Sequence, residues 1–501
     1  MKPVFSQKYA GDILALLAGG GLVLAFAPYS VFPLAVLFPA LLFWLWQSLS
    51  PWQAFWRGWL FGVGLFGVGV SWVHISFHQF GGLPFAASIA LTTLFVLFLA
   101  LYPALLGGLL TRFFPDKTFS KWVLILPATW ALMEWVRGWL FTGFPWLSLG
   151  YSQIDSPLNG FAPLLGVYGV SWMTVLTASL LAHAFNSLER VGHILLVLVG
   201  VWGSGELLSK VSWTTKVDEP LEVALVQGNI SQEFKWLSGY QIPSIERYLQ
   251  LSQEHHDADL IIWPETAIPI FYHDATEFLQ RLAARHMAYG THFLIGVPVM
   301  NNEGAYFNGV ASIGEQPGFY YKHHLVPFGE YIPFQSYLGE LFKLFEVPLS
   351  EFSAGSVHQL YLRSAGQNIG VSICYEDAFG EQVRNSLPAA TLLVNVSNDA
   401  WFGNSIAPHQ HLEIARMRAL ENGRYLLRAT NTGISAVIDA KGQVTAQAPQ
   451  FEIVVLRDKV QPYQGITPYA YFGNGLIVIL LFSSLLLGGF IEHSRLVRRS
   501  Q

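Results

Sequence analysis

The stretch Gly370-Val371-Ser372-Ile373-Cys374-Tyr375-Glu376-Asp377 decides how this chain is read. Gln367–Cys374 is short and rich in β-branched residues, which reads as a strand. Cys374 closes it, and two carboxylates follow within three residues. The C-terminal edge of a strand is where α/β folds place reactive groups. Cys374 is also the one cysteine in 501 residues, so no internal disulfide forms and any thiol chemistry belongs to it. Taken alone, a buried cysteine is more often inert packing.

Two other stretches change that reading. In Ile261-Ile262-Trp263-Pro264-Glu265 an apolar strand ends at a proline and a carboxylate follows. Alone, Glu265 could cap the next helix. Tyr320-Tyr321-Lys322-His323-His324-Leu325-Val326-Pro327-Phe328-Gly329-Glu330 offers a cation and, further on, a second carboxylate. Alone, that pair could be a surface salt bridge. A cysteine nucleophile needs a base to take its proton and a donor or cation to hold the developing oxyanion. Glu265, Lys322 and Cys374, each at the end of its own strand, supply those three roles.

Around these motifs run short strand-like segments: Glu222–Ile230, Leu260–Pro264, His292–Val299, Tyr306–Ile313, Gln367–Cys374, Leu392–Val396 and Tyr425–Ile438. Helical segments Ser244–Gln253, Thr276–Tyr289 and His411–Asn422 lie between them. Strands interleaved with helices predict an α/β layered domain over 209–467. No internal repeat or low-complexity segment stands out.

The flanks are different. Over the whole chain 52% of residues are hydrophobic and 12% charged, against roughly 25% charged in soluble domains. Mean hydropathy is +0.40. Apolar runs fall at about 12–28, 31–48, 53–76, 84–111, 121–141, 161–187, 191–208 and 468–491. About 20 apolar residues cross a bilayer as a helix. The expectation is therefore seven spans in 1–208, a large insert at 209–467, and an eighth span with a tail in 468–501. The first run lacks a clear cleavage site and is read as a retained helix. The seventeen Trp and 37 Phe suit membrane interfaces, and a net charge of −5 does not imply a nucleic-acid partner.

Basic residues set the expected orientation. Lys2 and Lys8 precede the first run, and the loop after the second leads into Arg57. Arg112, Lys117 and Lys121 follow the fourth, Arg190 the sixth, and Arg495, Arg498 and Arg499 the last. The alternate loops near 29–30, 77–83 and 142–160 contain no Lys or Arg. Basic loops stay in the cytoplasm. Both termini are therefore expected inside and 209–467 outside, which in a Gram-negative cell is the periplasm.

The ordered Glu265, Lys322 and Cys374 motifs resemble the nitrilase (carbon–nitrogen hydrolase) superfamily over about 220–460. The whole arrangement of spans and insert is similar to the apolipoprotein N-acyltransferase family. Local strings carry this too: Glu134-Trp135-Val136-Arg137-Gly138, Thr142-Gly143-Phe144-Pro145-Trp146, Gln227-Gly228-Asn229, Leu325 to Pro333, and Cys374-Tyr375-Glu376. The resemblance implies an eight-helix transmembrane bundle with an αββα nitrilase-like domain outside the cytoplasm, in a bacterial inner membrane. It implies acyl transfer from a phospholipid to the α-amino group of a diacylglyceryl-cysteine apolipoprotein through a Cys374 thioester, with no cofactor or metal. It also implies that Glu330 and Glu376 hold Lys322 and order the site, a structural ion pair being the other reading. Trp236 and Tyr375 resemble substrate-contacting positions, with core packing as the alternative, and Asn308 is a weaker match. The rival function is a membrane-anchored nitrilase or amidase, in which water resolves the thioester. Eight helices argue against it, because a soluble substrate needs no entrance from the bilayer. Glu134 and Arg137, three residues apart on one helix, could satisfy each other near the interface. Tyr337–Phe345 puts Leu338, Leu341, Phe342 and Phe345 on one helical face, which suggests an interfacial lid or ordinary packing.

Overall fold

Every apolar run named above carries helix in the computed structural model, which describes residues 4–115, 118–185, 188–314, 316–331 and 352–500. The chain divides into two compact units: 1–74 with 86–211 and 472–501, and 75–85 with 212–471.

The first unit is helical. Its elements are α1 (Val4–Leu22), α2 (Leu34–Leu45), α3 (Pro51–Gly69), α4 (Phe85–Leu99), α5 (Leu101–Phe113), α6 (Leu126–Arg137), α7 (Ala162–Ala184), α8 (Val191–Ser209) and a last helix, Asn474–Ser500. Among the described residues four helical stretches are long and apolar enough to cross a membrane: Phe85–Phe113, Pro157–Ala184, Val191–Ser209 and Asn474–Arg495. A fifth is reached if the bent pair Pro51–Gly69 and Val73–Phe80 counts as one span. The expected eight also counts the apolar runs at 12–28, 31–48 and 121–141. Leu34–Leu45 and Tyr9–Ala25 are apolar but short. The run at 121–141 opens with a π-helical stretch, Lys121–Ile125, that continues directly into α6, which carries two charges. Arg57, into which the loop after the second run leads, lies in the second turn of α3, with its Nε 3.0 Å from Asp12 Oδ1.

Small residues let α1 and α3 touch. A Cβ at Gly19 would collide with the Phe61 carbonyl, and one at Gly64 with the Leu16 carbonyl. Without a hydrophobic drive between helices in lipid, such close backbone approach is what holds them. Glu134 and Arg137 do not bond to each other. Glu134 Oε1 accepts from Trp130 Nε1 at 2.9 Å and the Leu149 N–H at 3.0 Å. Arg137 donates to the carbonyls of Phe144 and Trp146 and to Ser148 Oγ. Both charges thus fasten the irregular and mostly buried 144–149 segment, whose backbone groups would otherwise lack partners.

The second unit stacks two six-stranded sheets. The first runs β13-β2-β3-β4-β5-β6 and the second β12-β11-β10-β9-β8-β7. The strands are β2 (Leu221–Gln227), β3 (Leu260–Trp263), β4 (His292–Met300), β5 (Tyr306–Ile313), β6 (Gly318–Tyr321), β7 (Leu362–Ser364), β8 (Gln367–Ile373), β9 (Leu392–Ser397), β10 (Leu426–Thr430), β11 (Ala436–Ile438), β12 (Val444–Gln447) and β13 (Val454–Val460). A small antiparallel pair joins β1 (Thr214–Lys216) to β14 (Tyr463–Gly465). In each sheet three parallel strands sit at the centre, β2-β3-β4 and β8-β9-β10, with antiparallel strands outside them.

Alternation builds the layers. Val223, Leu225, Leu260 and Ile262 meet Ile369, Ile373, Val394 and Leu427 between the sheets. Their neighbours Ala224, Val226, Ile261 and Trp263 face α10 (Ser238–Gln253) and α11 (Thr276–Met287) through Ile245, Tyr248, Leu279 and Leu282. On the far side α12 (Ala407–Asn422) packs Leu412, Ala415 and Ala419 against Leu393, Leu426 and Ala436. The result is an αββα sandwich. Strands buried on both faces read as continuous apolar runs, which is why they were legible in the sequence. Tyr425–Ile438, expected as one strand, is two. The chain turns between Thr430 and Ala436, and β10 and β11 pair antiparallel.

Candidate active site

The sandwich brings three strand ends together. Glu265 follows β3, Lys322 follows β6 and Cys374 follows β8. Both Cys374 (φ 51°) and Thr266 (φ 50°) occupy the left-handed region. For a residue with a Cβ that costs about 1–3 kcal/mol and persists only where the surroundings impose it. Next to Glu265 the crowding is visible: a Cβ at Gly296 would collide with the Pro264 carbonyl and the Glu265 Cα, so only glycine fits there.

Lys322 is 1% exposed. Its Nζ lies 2.8 Å from Glu330 Oε1 and 3.5 Å from Glu265 Oε1. Asn308 Nδ2 donates to the same two oxygens, at 2.7 Å to Glu265 and 3.2 Å to Glu330. Burial works against the Lys322 charge, but the Glu330 and Glu265 carboxylates outweigh it and hold the ammonium above its ordinary range. A second buried cation, Lys235, closes the short helix α9 (Gln232–Lys235) and donates to the Glu265 carbonyl at 3.2 Å. Burial lowers it to about 8, with Glu265 pulling the other way.

Burial also pushes the Cys374 thiol up, and the Glu265 charge adds to this, while Lys322 and the Ser397 hydroxyl pull it back. The sulfur is therefore a neutral thiol at rest, and a base must take its proton as it reacts.

Glu376 does something other than hold Lys322. One oxygen accepts the N–H groups of His323 at 2.7 Å and His324 at 3.0 Å, with Gln382 Nε2 at 2.5 Å. The other accepts the Ile373 N–H at 2.7 Å and the Tyr320 hydroxyl at 3.0 Å. It stitches the backbone just after Lys322 to the backbone just before Cys374. Burial raises its carboxyl, and those N–H donors oppose the rise. Tyr375 is half-buried beside His324 and Phe379, with ring centroids 5.9 and 5.0 Å away. Trp236 is 48% exposed, so core packing does not account for it. The helical face of Leu338, Leu341, Phe342 and Phe345 lies outside the described residues.

Residues 18–180 match the family model described as the apolipoprotein N-acyltransferase N-terminal domain. Residues 222–463 match the carbon-nitrogen hydrolase model. An apolipoprotein N-acyltransferase of Methylococcus capsulatus is 45% identical over 467 residues, covering 92% of each chain. One from Vibrio cholerae is 44% identical over 485 residues, 95% of this chain and 96% of that one. One from Nitrosomonas europaea is 44% identical over 488 residues, 96% of this chain and 97% of that one.

The chain belongs to the apolipoprotein N-acyltransferase family.

The resemblance drawn from separated motifs thus holds at the level of the family. Glu265, Lys322 and Cys374 all fall in the carbon-nitrogen hydrolase match of this family member, as do both sheets. Sequence reasoning passed over Lys235 and gave Asn308 little weight. It also missed a fully buried cluster of Asp377, Asp399, His411, Asn395 and Arg428. None of these carries a local pattern. The nearest signal is Asp377 itself, a second acid three residues after the thiol.

Proposed function

We propose that the chain moves an acyl group from a phospholipid to the N-terminal α-amino group of a diacylglyceryl-cysteine apolipoprotein, by way of a thioester on Cys374. The observation that carries this is the sole thiol at the end of β8, under the charges of a buried carboxylate and a buried ammonium. The membership of the family supports the choice of substrates.

Glu265 takes the Cys374 proton as the sulfur adds to the ester carbonyl carbon. The oxyanion forms towards Lys322 Nζ and the Tyr375 N–H. Each such donor is worth about 10²–10³ in rate. Collapse expels the lysophospholipid alkoxide, which takes the proton back from Glu265. The acceptor amine then adds to the thioester and gives its proton to Glu265. Collapse releases the amide and returns the proton to the sulfur. An α-amino group has a pKa of about 7.7–8.0, so a carboxylate base suffices near neutral pH. Glu330 and Asn308 keep Lys322 and Glu265 in register, Glu376 fixes the two backbones, and Trp236 and Tyr375 contact substrate.

We assign 1–208 to seven spans, 209–467 to the catalytic domain and 468–501 to an eighth span and tail. Both termini lie in the cytoplasm of a bacterial inner membrane and the catalytic domain in the periplasm. The Lys and Arg asymmetry of the loops supports this orientation.

Mass spectrometry of the purified full chain mixed with phospholipid vesicles tests the reading. An acyl adduct on Cys374 and an equivalent of lysophospholipid should form before any acceptor is added, and Cys374→Ala should give neither. Initial rates at varied donor and acceptor should give parallel double-reciprocal lines. Intersecting lines with no adduct would replace the thioester with direct transfer.

A further inference from the structure

Behind the nucleophile lies a buried ionic cluster that the proposed chemistry does not use. His411, on α12, has Nδ1 2.9 Å from Asp399 Oδ1 and Nε2 2.9 Å from Asp377 Oδ1. A ring nitrogen facing a carboxylate oxygen must carry a proton, so the ring donates on both sides. Arg428 Nη2 lies 2.8 Å from His411 Nδ1, yet it also lies 2.8 Å from Asp399 Oδ2, and its proton goes to that carboxylate. Arg428 Nη1 reaches Asn395 Oδ1 at 2.7 Å and Asp377 Oδ2 at 3.3 Å. Two carboxylates then balance a guanidinium and an imidazolium, all at most 1% exposed. His411 sits at about 9, where burial and Arg428 press it down and Asp377 and Asp399 more than restore it.

This cluster touches Cys374 through its carbonyl oxygen. Asn395 Nδ2 donates to it at 3.2 Å and His411 Nε2 lies 3.3 Å from it. The same peptide plane carries the Tyr375 N–H. The bond is trans, so the N–H points away from the carbonyl, towards the opposite side of the plane. Gripping the carbonyl therefore aims the N–H. A cation on the carbonyl also polarises the amide and strengthens the N–H as a donor.

We infer that His411 is a positioning residue for oxyanion stabilisation: as an imidazolium locked between Asp377 and Asp399, it acts through the Cys374–Tyr375 peptide to aim and strengthen the Tyr375 N–H. The inference rests on the proposed acyl transfer.

Two reactions of the same sulfur separate this role from a merely structural one. Acylation by phospholipid builds an oxyanion, whereas alkylation by iodoacetamide does not. His411→Gln should slow single-turnover acylation of Cys374 about 10–100-fold, as for loss of a charge-assisted donor. Its alkylation rate and its KM for phospholipid should stay close to those of the parent. The double variant Asp399→Asn with His411→Gln keeps one carboxylate against one guanidinium, so it should fold even where the single variant does not, and it should show the same selective loss. Equal slowing of both reactions in a folded variant, or unchanged acylation, would overturn the inference. Failure of acyl transfer itself would show differently, as a parent protein that gives no Cys374 adduct with vesicles.

Discussion

The Lys322 ammonium lies closer to Glu330, at 2.8 Å, than to Glu265, at 3.5 Å. Glu330 is thus the nearer anchor of the cation, which in the proposed mechanism leaves Glu265 an oxygen for the thiol proton. Val326 N–H fixes the other Glu330 oxygen at 2.8 Å. In Glu330→Gln the cation loses its counter-charge and drifts towards Glu265. The expected result is a fall in kcat of about 10²-fold, the scale of a misplacement near 1 Å, with KM for phospholipid unchanged. Steady-state kinetics in detergent micelles check it. A parent-like kcat would return Glu330 to a bystander role.

Glu376 gathers donors from His323, His324, Ile373, Gln382 and Tyr320 with no exposed surface. An amide at this position accepts through one oxygen and turns an NH₂ against the other set of donors. Leaving buried donors unmet costs about 1–3 kcal/mol for each group. Glu376→Gln should therefore lower the thermal midpoint and the activity together, whereas Glu265→Gln should abolish thioester formation with the midpoint kept. A calorimetric scan beside the mass-spectrometric adduct assay distinguishes them. Adduct accumulating in Glu265→Gln would remove Glu265 from the first proton transfer.

His411 is raised from an ordinary 6.5 to about 9. A group raised on folding stabilises fully below its unfolded value and ceases to do so as pH climbs through its folded value. Asp399 is depressed: burial opposes its charge, but Arg428 and His411 win. Its contribution is present above the ordinary carboxylate range and disappears only in strong acid. Stability of the catalytic unit should hold from about pH 5 to 6.5 and decline between about 6.5 and 9. The double variant Asp399→Asn with His411→Gln should lack that alkaline decline. Thermal melts across pH test this, and an identical slope in both proteins would refute the linkage.

The orientation is open to direct labelling. Lys441 is exposed in the turn between β11 and β12. Lys441→Cys in a Cys374→Ala background carries one thiol. A membrane-impermeant maleimide should modify it in intact cells with a permeabilised outer membrane. Labelling that appears only after lysis would place the domain in the cytoplasm.

Local sequence determined which residues could do chemistry and which segments were apolar enough to be buried. Glu265 and Cys374 were legible because each follows a short apolar, β-branched run, a local property, whereas β6 before Lys322 is only Gly318-Phe319-Tyr320-Tyr321 and Lys322 was legible through its pairing with the other two motifs. The central strands were legible for the same reason. Edge strands were not: β7 has three residues, and β12 alternates between half-buried and exposed positions. Only the tertiary structure decided who partners whom. Asn308 meets Glu265 across 43 residues, Glu376 meets His323 across 53, and His411 meets Asp377 across 34. A polar residue shows its type in the sequence but not its partner, because burial without a hydrogen-bond partner is what the fold must avoid and many partners could serve. The helix count depended on structure as well, since a sum of hydropathies shows an apolar run but not the length of its helix: Leu34–Leu45 is 12 residues inside the run at 31–48.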